Sequence, residues 1–395
     1  MKKIIAALWL AAAALFGQSC NVPVAAPAAE TPSRAAARRS VYPLKDSLDA
    51  IVGKYLAKGI PGVQVAVRND AGWYYTSGSN GAPLPEDLVT WYFSITKIYT
   101  AALVMKLKES GRIDLDAPIG AYLPAEVAAG IPQRDQITVR MLLSHTSGIV
   151  NVTALPAFVQ WQFEKPLQQP SVTERMEMVY GKPLLFAPGT DFSYSNTNYL
   201  LLHYVIESAA GVPYGKLLHQ EILQPLKLGH TYYALPAGPL RNFAFPDYYF
   251  DPNASGQLVN GTEWNKALGN SCISYGGIAG TAGDAILFLE ALVNGRVVSA
   301  ASLNEMKTWV QGKASTAPDY GLGLEYYQYG SGPHQYGHEG DGIGCTTQVL
   351  YVPANQTYLF INVTVGRQLP GPYLFKATDL KNELCRYVAN WRVQP

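Results

Sequence analysis

The stretch Trp91-Tyr92-Phe93-Ser94-Ile95-Thr96-Lys97 sets a serine and a lysine three residues apart. On a helix two such side chains meet on one face, one turn apart. A serine hydroxyl is a weak nucleophile until a neighbouring base takes its proton. A lysine one turn along can do that, or help another base do it, once burial lowers its pKa. The residues that follow favour a buried helix. Ile95, Ile98, Ala101, Ala102, Leu103, Val104 and Met105 leave little polar face, and Gly111 is a natural stop. The pair alone is weak evidence, because ordinary residue frequencies give about one chance S-x-x-K in a chain of this size. An unremarked surface Ser and Lys on a helix would read the same way.

Outward from that stretch, composition bounds the rest. A chain of 395 residues can bury one large core or two modest ones. The net charge is +1, charged residues are 15%, and no basic stripe stands out, which excludes nucleic acid as a partner. Twenty-six tyrosines and 36 glycines predict strands, loops and a cleft edged by polar-tipped aromatics. The histidines form no metal-ligand pattern and no C-x-x-C or H-E-x-x-H occurs, so no metal and no cofactor are expected. Cys272, Cys345 and Cys385 are odd in number and irregular in spacing, and read as inert thiols.

The N-terminus reads as an export signal over residues 1–20. Lys2 and Lys3 precede an apolar run, Ile4 to Phe16, that is too short to span a bilayer. Cys20 resembles the lipid-modified cysteine of bacterial lipoproteins, although Gln18 makes the lipobox imperfect; cleavage after Ser19 or in the alanine-rich run beyond is the alternative. Residues 21–43 are an Ala/Pro-rich tether, and 44–395 the folded domain. The expected location is the periplasm or outer surface, with membrane contact only through a lipid on Cys20.

Along the domain, Leu44 to Leu56 has helical spacing. Val63 to Val67 and Trp73 to Thr76 flank the turn Asn69-Asp70-Ala71-Gly72 as a hairpin. Ile137 to Leu143 is a helix start with Thr138 as N-cap, ending in a polar turn where His145 reads as a structural tie. Helices follow at Val172 to Tyr180, Leu200 to Ile206, Thr281 to Leu292, Ser302 to Trp309 and Leu374 to Trp391. The region from Tyr232 to Asn270 reads as loops over a cleft. Tyr320 to Tyr327, Gln335 to His338, Thr346 to Tyr351 and Thr357 to Val365 read as consecutive antiparallel strands. A lone hairpin is too few strands to stand by itself, so the first hairpin must join them in one sheet. The fold class is therefore α+β: an antiparallel sheet flanked by helices (about 44–93 and 270–395), a mostly helical insertion (about 94–269), and a cleft between.

Three stretches carry a resemblance: Ser94-Ile95-Thr96-Lys97, Tyr194-Ser195-Asn196 and His338-Glu339-Gly340. In order and spacing they resemble the serine penicillin-recognising enzymes. The relevant branch holds class C beta-lactamases, D-Ala-D-Ala carboxypeptidases, D-aminopeptidases and serine esterases of beta-lactamase fold. Leu142-Leu143-Ser144-His145-Thr146-Ser147-Gly148, Phe186-Ala187-Pro188-Gly189 and Gly276 to Asp284 are similar to further patterns of that family. The likeness runs from about 45 to 390.

The resemblance implies a beta-lactamase/transpeptidase-like fold with Ser94 as acylated nucleophile. It makes Lys97 a cation that lowers the pKa of Tyr194, the general base. Asn196 orients Lys97 or the substrate amide. His338 stands where a lysine is usual and would donate to Tyr194 or to a substrate carboxylate. Gly340 and Asp341 belong to the substrate-binding and oxyanion site, whose two donors would be the backbone N–H groups of Ser94 and Asp341. Glu339 and Asp341 would set two acids beside the cleft and repel an anionic substrate group. The implied function is a serine hydrolase acting on an ester, amide or D-amino-acid peptide, its partner a small ester, peptide or lactam. A D-Ala-D-Ala carboxypeptidase or penicillin-binding protein acting on cell-wall peptides, or a beta-lactamase, is the alternative. A catalytically silent peptide-binding lipoprotein is the alternative of another class.

Overall fold

The structure, a computed structural model, describes residues 42–80, 84–233, 245–366 and 371–391. The export signal, Cys20 and the tether up to residue 41 lie outside the described residues. Among the described residues no helix is long and apolar enough to cross a membrane.

The elements that position the site are, in order, α1 Lys45–Ala57, β1 Gly62–Asn69, β2 Gly72–Ser79, α2 Thr96–Glu109, α3 Pro156–Glu164, α4 Asn196–Ala210, α5 Thr262–Ser271, α6 Ala282–Val293, β3 Glu325–Gln328, β4 His334–Gly342, β5 Cys345–Val352, β6 Thr357–Val363 and α7 Pro372–Asn390. All six strands form one antiparallel sheet in the order β2-β1-β6-β5-β4-β3. The first hairpin does join the C-terminal strands, with Val65 opposite Ile361. The fold is α+β, an antiparallel sheet flanked by helices, as expected.

Strand alternation divides the core. Val63, Val65 and Val67 face one way with Leu350, Leu359 and Ile361, packing against α1 and α7. Ala66, Val349 and Phe360 face the other way, towards α2 and α6. Because helices cover both faces, the inner strands are buried throughout. Helix α2 is buried almost all round, including Thr96, Lys97 and Thr100. An apolar helix with no polar face is a core helix, which is why Lys97 is carried wholly inside.

The region expected as loops holds more order. It contains α5 and a two-stranded ladder of Tyr249–Phe250 with Val259–Asn260. Thr90–Trp91, Ile278–Gly280 and Thr231–Tyr233 form a further three-stranded sheet. Gly269 lets α5 lie directly on Trp91; a Cβ there would come within 2.3 Å of the indole. Residues 234–244 lie outside the described residues.

Candidate active site

Ser94 sits in a single 3-10 turn, Phe93–Ile95, that runs straight into α2. Phe93, immediately before it, has φ +45, a left-handed conformation that costs a non-glycine residue energy. Strain next to a candidate nucleophile is held by packing on both sides. The Tyr92 carbonyl accepts from Thr347 Oγ1 at 3.2 Å. Gly340 of β4 comes so close that a Cβ there would lie 2.0 Å from the Tyr92 oxygen and 3.0 Å from the Ser94 nitrogen. Glycine is needed at this position for the approach, not for its dihedral freedom.

Helix α2 fixes what surrounds the serine. Thr96 Oγ1 accepts from the Ile278 amide at 3.1 Å, and Thr100 Oγ1 donates to the Ser274 carbonyl at 2.6 Å. The Ser274 hydroxyl in turn donates to the Tyr199 carbonyl of α4 at 2.7 Å. Between these pins, Lys97 Nζ lies 2.9 Å from Ser94 Oγ, 2.8 Å from Asn196 Oδ1 and 2.9 Å from the Tyr275 carbonyl oxygen. Two of the three partners are pure acceptors; only the serine hydroxyl can donate. A neutral amine can therefore give two protons to Asn196 and Tyr275 and turn its lone pair to Ser94. Burial favours that form, pushing the Lys97 pKa down to about 7.

Tyr194 stands beside Ser94, whose hydroxyl eases the titration of its phenol, and Lys97 Nζ lies 4.9 Å from the centre of its ring. Its phenol titrates well above the ordinary range, first because it is buried and then because of the charge on Glu325. This corrects the expectation that Lys97 lowers the phenol. The proton stays on Tyr194, and Lys97 is the group that loses one near neutral pH.

The turn at His145 places Tyr194 and Asn196. The Ser195 amide donates to His145 Nδ1 at 3.2 Å and Asn198 Nδ2 sits 3.1 Å from the same nitrogen. The His145 carbonyl accepts from the Ser193 amide at 3.0 Å. Its ring lies 4.3 Å from that of Tyr194, so the histidine ties the turn and backs the phenol. Asn196, the first residue of α4, is fixed at the amide end too: its Nδ2 donates to Thr153 Oγ1 at 2.9 Å, and its backbone N–H to Asn151 Oδ1 at 3.1 Å.

His338 departs from expectation. It is fully buried, and its Nε2 pairs with the Tyr320 hydroxyl at 2.8 Å while Nδ1 lies 2.5 Å from the Glu339 carbonyl. It hydrogen-bonds Tyr320 rather than Tyr194, whose ring centre is 6.3 Å away. Burial, helped by Lys97, pushes its pKa down to about 3, so it is a neutral spacer and not a cation for a carboxylate. Of the two acids expected beside the cleft, Asp341 lines the cavity and Glu339 does not. Strand alternation turns Glu339 to the far face, where its carboxylate accepts from Lys381 Nζ at 2.7 Å. The Glu339 amide instead leaves the edge of β4 towards Glu325 Oε2 at 2.8 Å. Strand β3 covers that edge only from His334 to Gly337. Two residues past Glu339, the Asp341 amide faces the same open edge, beside the Ser94 turn.

Sequence reasoning missed Tyr275, Asn151, Thr153 and Glu325. The first three meet Lys97 or Asn196 through a backbone carbonyl or from loops, which no spacing rule marks. Glu325 is a largely buried carboxyl, pushed up to about 8 by burial and by Glu339. A glutamate opening a strand reads as an ordinary surface residue. A cavity of about 290 Å³ opens from Ser94, lined by the polar Asn196, Asn151 and Thr153 and by the apolar Phe158, Trp264 and Leu268. Among the described residues no group of three or more His, Cys, Asp or Glu is placed to hold a metal ion.

A serine hydroxyl hydrogen-bonded to a buried amine, with a buried phenol beside it and an open cavity in front, defines a serine hydrolase site. The beta-lactamase family model matches residues 48–392, and the chain belongs to the beta-lactamase family. Penicillin-binding protein 4 of Amycolatopsis lactamdurans is 27% identical over 316 residues, 75% of this chain and 78% of that protein. A putative D-alanyl-D-alanine carboxypeptidase of Salmonella typhi is 24% identical over 338 residues, 74% of this chain and 77% of that one. Among solved structures, a D-stereospecific amidohydrolase from Streptomyces sp. superposes with a TM-score of 0.71 at 28% identity, covering 81% of this chain and 94% of its own. A D-amino acid amidase from Ochrobactrum anthropi SV3 gives 0.75 at 24%, covering 88% and 99%, and shares the fold.

Proposed function

We propose that the protein hydrolyses an ester or amide, D-amino-acid amides and peptides included, through an acyl-enzyme on Ser94. The observation that carries this is the Lys97 amine, 2.9 Å from Ser94 Oγ, with its other two partners unable to donate. The neutral amine takes the hydroxyl proton as Ser94 Oγ bonds to the substrate carbonyl carbon. The oxyanion is received by the N–H groups of Ser94 and Asp341, the first at a helix N-terminus. As the intermediate collapses, the bond to the departing nitrogen or oxygen breaks. That atom receives the proton from Lys97, relayed through the Tyr194 phenol. Water then attacks the acyl-enzyme and gives its proton to the same pair; the bond to Ser94 Oγ breaks, Oγ takes that proton back, and the acid leaves.

The cavity wall speaks to substrate class. Among its described residues there is no lysine, arginine or histidine side chain. A substrate carboxylate would find no fixed cation among these residues, which favours a neutral amide or ester over a carboxypeptidase substrate or a beta-lactam. The likeness to a D-stereospecific amidohydrolase at 28% identity supports D-configured amides. The likeness to a penicillin-binding protein at 27% keeps cell-wall peptides as the second reading. The signal-like pattern of residues 2–20 supports an exported enzyme, which suits either.

The test is reaction with a fluorophosphonate, a fluorescent penicillin, D-amino-acid p-nitroanilides and nitrocefin. A phosphonyl adduct, anilide turnover and no nitrocefin turnover are expected. Rapid penicillin acylation with no anilide turnover would move the assignment to the second reading. Labelling by neither reagent would favour a silent binder.

A further inference from the structure

The cavity lining includes apolar and aromatic side chains that the chemistry does not use, Trp264 of α5 among them. The indole N–H donates to Gln162 Oε1 of α3 at 3.1 Å. The ring is wedged edge-to-face between Phe163 at 5.7 Å and Phe250 at 5.4 Å. Gln162 is itself buried and held by Gln169, so the indole plane is set before any ligand arrives. Val159 and Phe163 stand four apart on α3, on the same face, and both line the cavity mouth. They are 42% and 54% exposed. Apolar side chains kept in water at the mouth of a reactive cavity, beside a fixed indole, mark a binding surface.

The side of the reacting bond that this surface serves follows from where the proton donors lie. Ser94, Asn196 and Asp341 line the cavity, whereas Lys97, Tyr194 and His338 do not. The departing atom must face Lys97 and Tyr194 to be protonated. The cavity, with its aromatic lining, is therefore on the side of the group that stays bonded to Ser94. We propose that this is a specificity pocket for a bulky apolar acyl group, aromatic or of several carbons, with Trp264, Phe163 and Val159 as its determinants. The proposal rests on the hydrolase reading above and names its substrate class: arylalkanoyl or medium-chain acyl esters and amides, ahead of acetyl or D-alanyl ones.

The test is kcat/KM for p-nitrophenyl acetate, hexanoate and 3-phenylpropanoate, beside phenyl and naphthyl acetates that vary only the departing side. An added methylene in a hydrophobic pocket can give about 10–200-fold at best, so 3-phenylpropanoate should exceed acetate by at least about tenfold. Departing-group size should change kcat/KM by less than about threefold at matched leaving-group pKa. Phe163→Ser, at an exposed site that tolerates change, and Trp264→Ala, checked for folding by circular dichroism, should each cut the acyl preference by about 3–10-fold. A flat acyl series, a dependence on departing-group size alone, or a preference unmoved in both variants would overturn the assignment. Fluorophosphonate labelling of Ser94 in the same samples separates the two failures. A labelled enzyme with a flat series loses only the pocket; an unlabelled one loses the hydrolase reading as well.

Discussion

The two halves of the cleft are built differently. The floor around Lys97 is buried, and its hydrogen bonds come from four distant segments: α2, the start of α4, the Tyr275 stretch and the loop of Asn151 and Thr153. The wall around Trp264 is half in water and rests on ring contacts and one amide hydrogen bond. A floor that must set a pKa needs a dry, fixed environment. A wall that sorts substrates needs shape and apolar area, and can sit at the solvent edge. Substitutions on the floor should therefore act on the chemical step for every substrate. Substitutions in the wall should change the ranking of substrates.

The largest effect is expected at the floor. Lys97→Met should lower kcat/KM by about 10⁴-fold for all esters, measured with excess substrate and an active-site titration. It removes the base and leaves Asn196 Oδ1 and the Tyr275 carbonyl without their donor. Tyr194→Phe should cost about 10²–10⁴-fold, and more for amides than for activated esters, because an amine departs only when protonated. Gly340→Ala should cost about 1–3 kcal/mol of stability and most of the activity, since its Cβ meets the Tyr92 carbonyl at 2.0 Å. Thermal unfolding and turnover report the two together.

The pH profile gives a smaller effect with a definite sign. The working form of Lys97 is the neutral one, and burial sets its pKa at about 7. Below that value the ammonium predominates, so kcat/KM should fall about tenfold per pH unit as the pH drops and level off above about 8. A profile rising only near pH 10 would return the base role to a phenolate. The smallest effect is expected on the far face of β4. Glu339→Gln leaves the buried Lys381 without its carboxylate, so thermal unfolding should come earlier, while kcat/KM, reached only through the charge beside Glu325, should change by less than about tenfold.

This division also explains what could be read from the chain. Ser94 and Lys97 stood out by their three-residue spacing, whereas Tyr194 and Asn196 were legible only through the likeness of three ordered motifs to a known family. The sheet was legible because β-branched alternation in Val63 to Val67 and Thr357 to Val363 has a period of two. The role of His338 was not, since the strand pattern gives its face but not its neighbour; Tyr320, eighteen residues earlier, takes its Nε2. The protonation order of Lys97 and Tyr194 depends on how dry the floor is, which only packing determines. The aromatic wall was illegible for another reason. Helix α3 starts at Pro156 with no side-chain cap and places Val159 and Phe163 in water, so its pattern does not stand out as amphipathic. Helix α5 has Gly269 within it, and its seat on Trp91 depends on that missing side chain.

The central claim is that Ser94 becomes acylated because a neutral Lys97 activates it. The most direct measurement is the rate of phosphonylation by a fluorophosphonate against pH, read by intact mass, with the adduct located by peptide mapping. One adduct on the peptide holding Ser94 is expected, none in Ser94→Ala, with a rate that climbs through about pH 7 and is lost in Lys97→Met. An adduct on another residue, or a rate at Ser94 that ignores both pH and Lys97, would contradict the account.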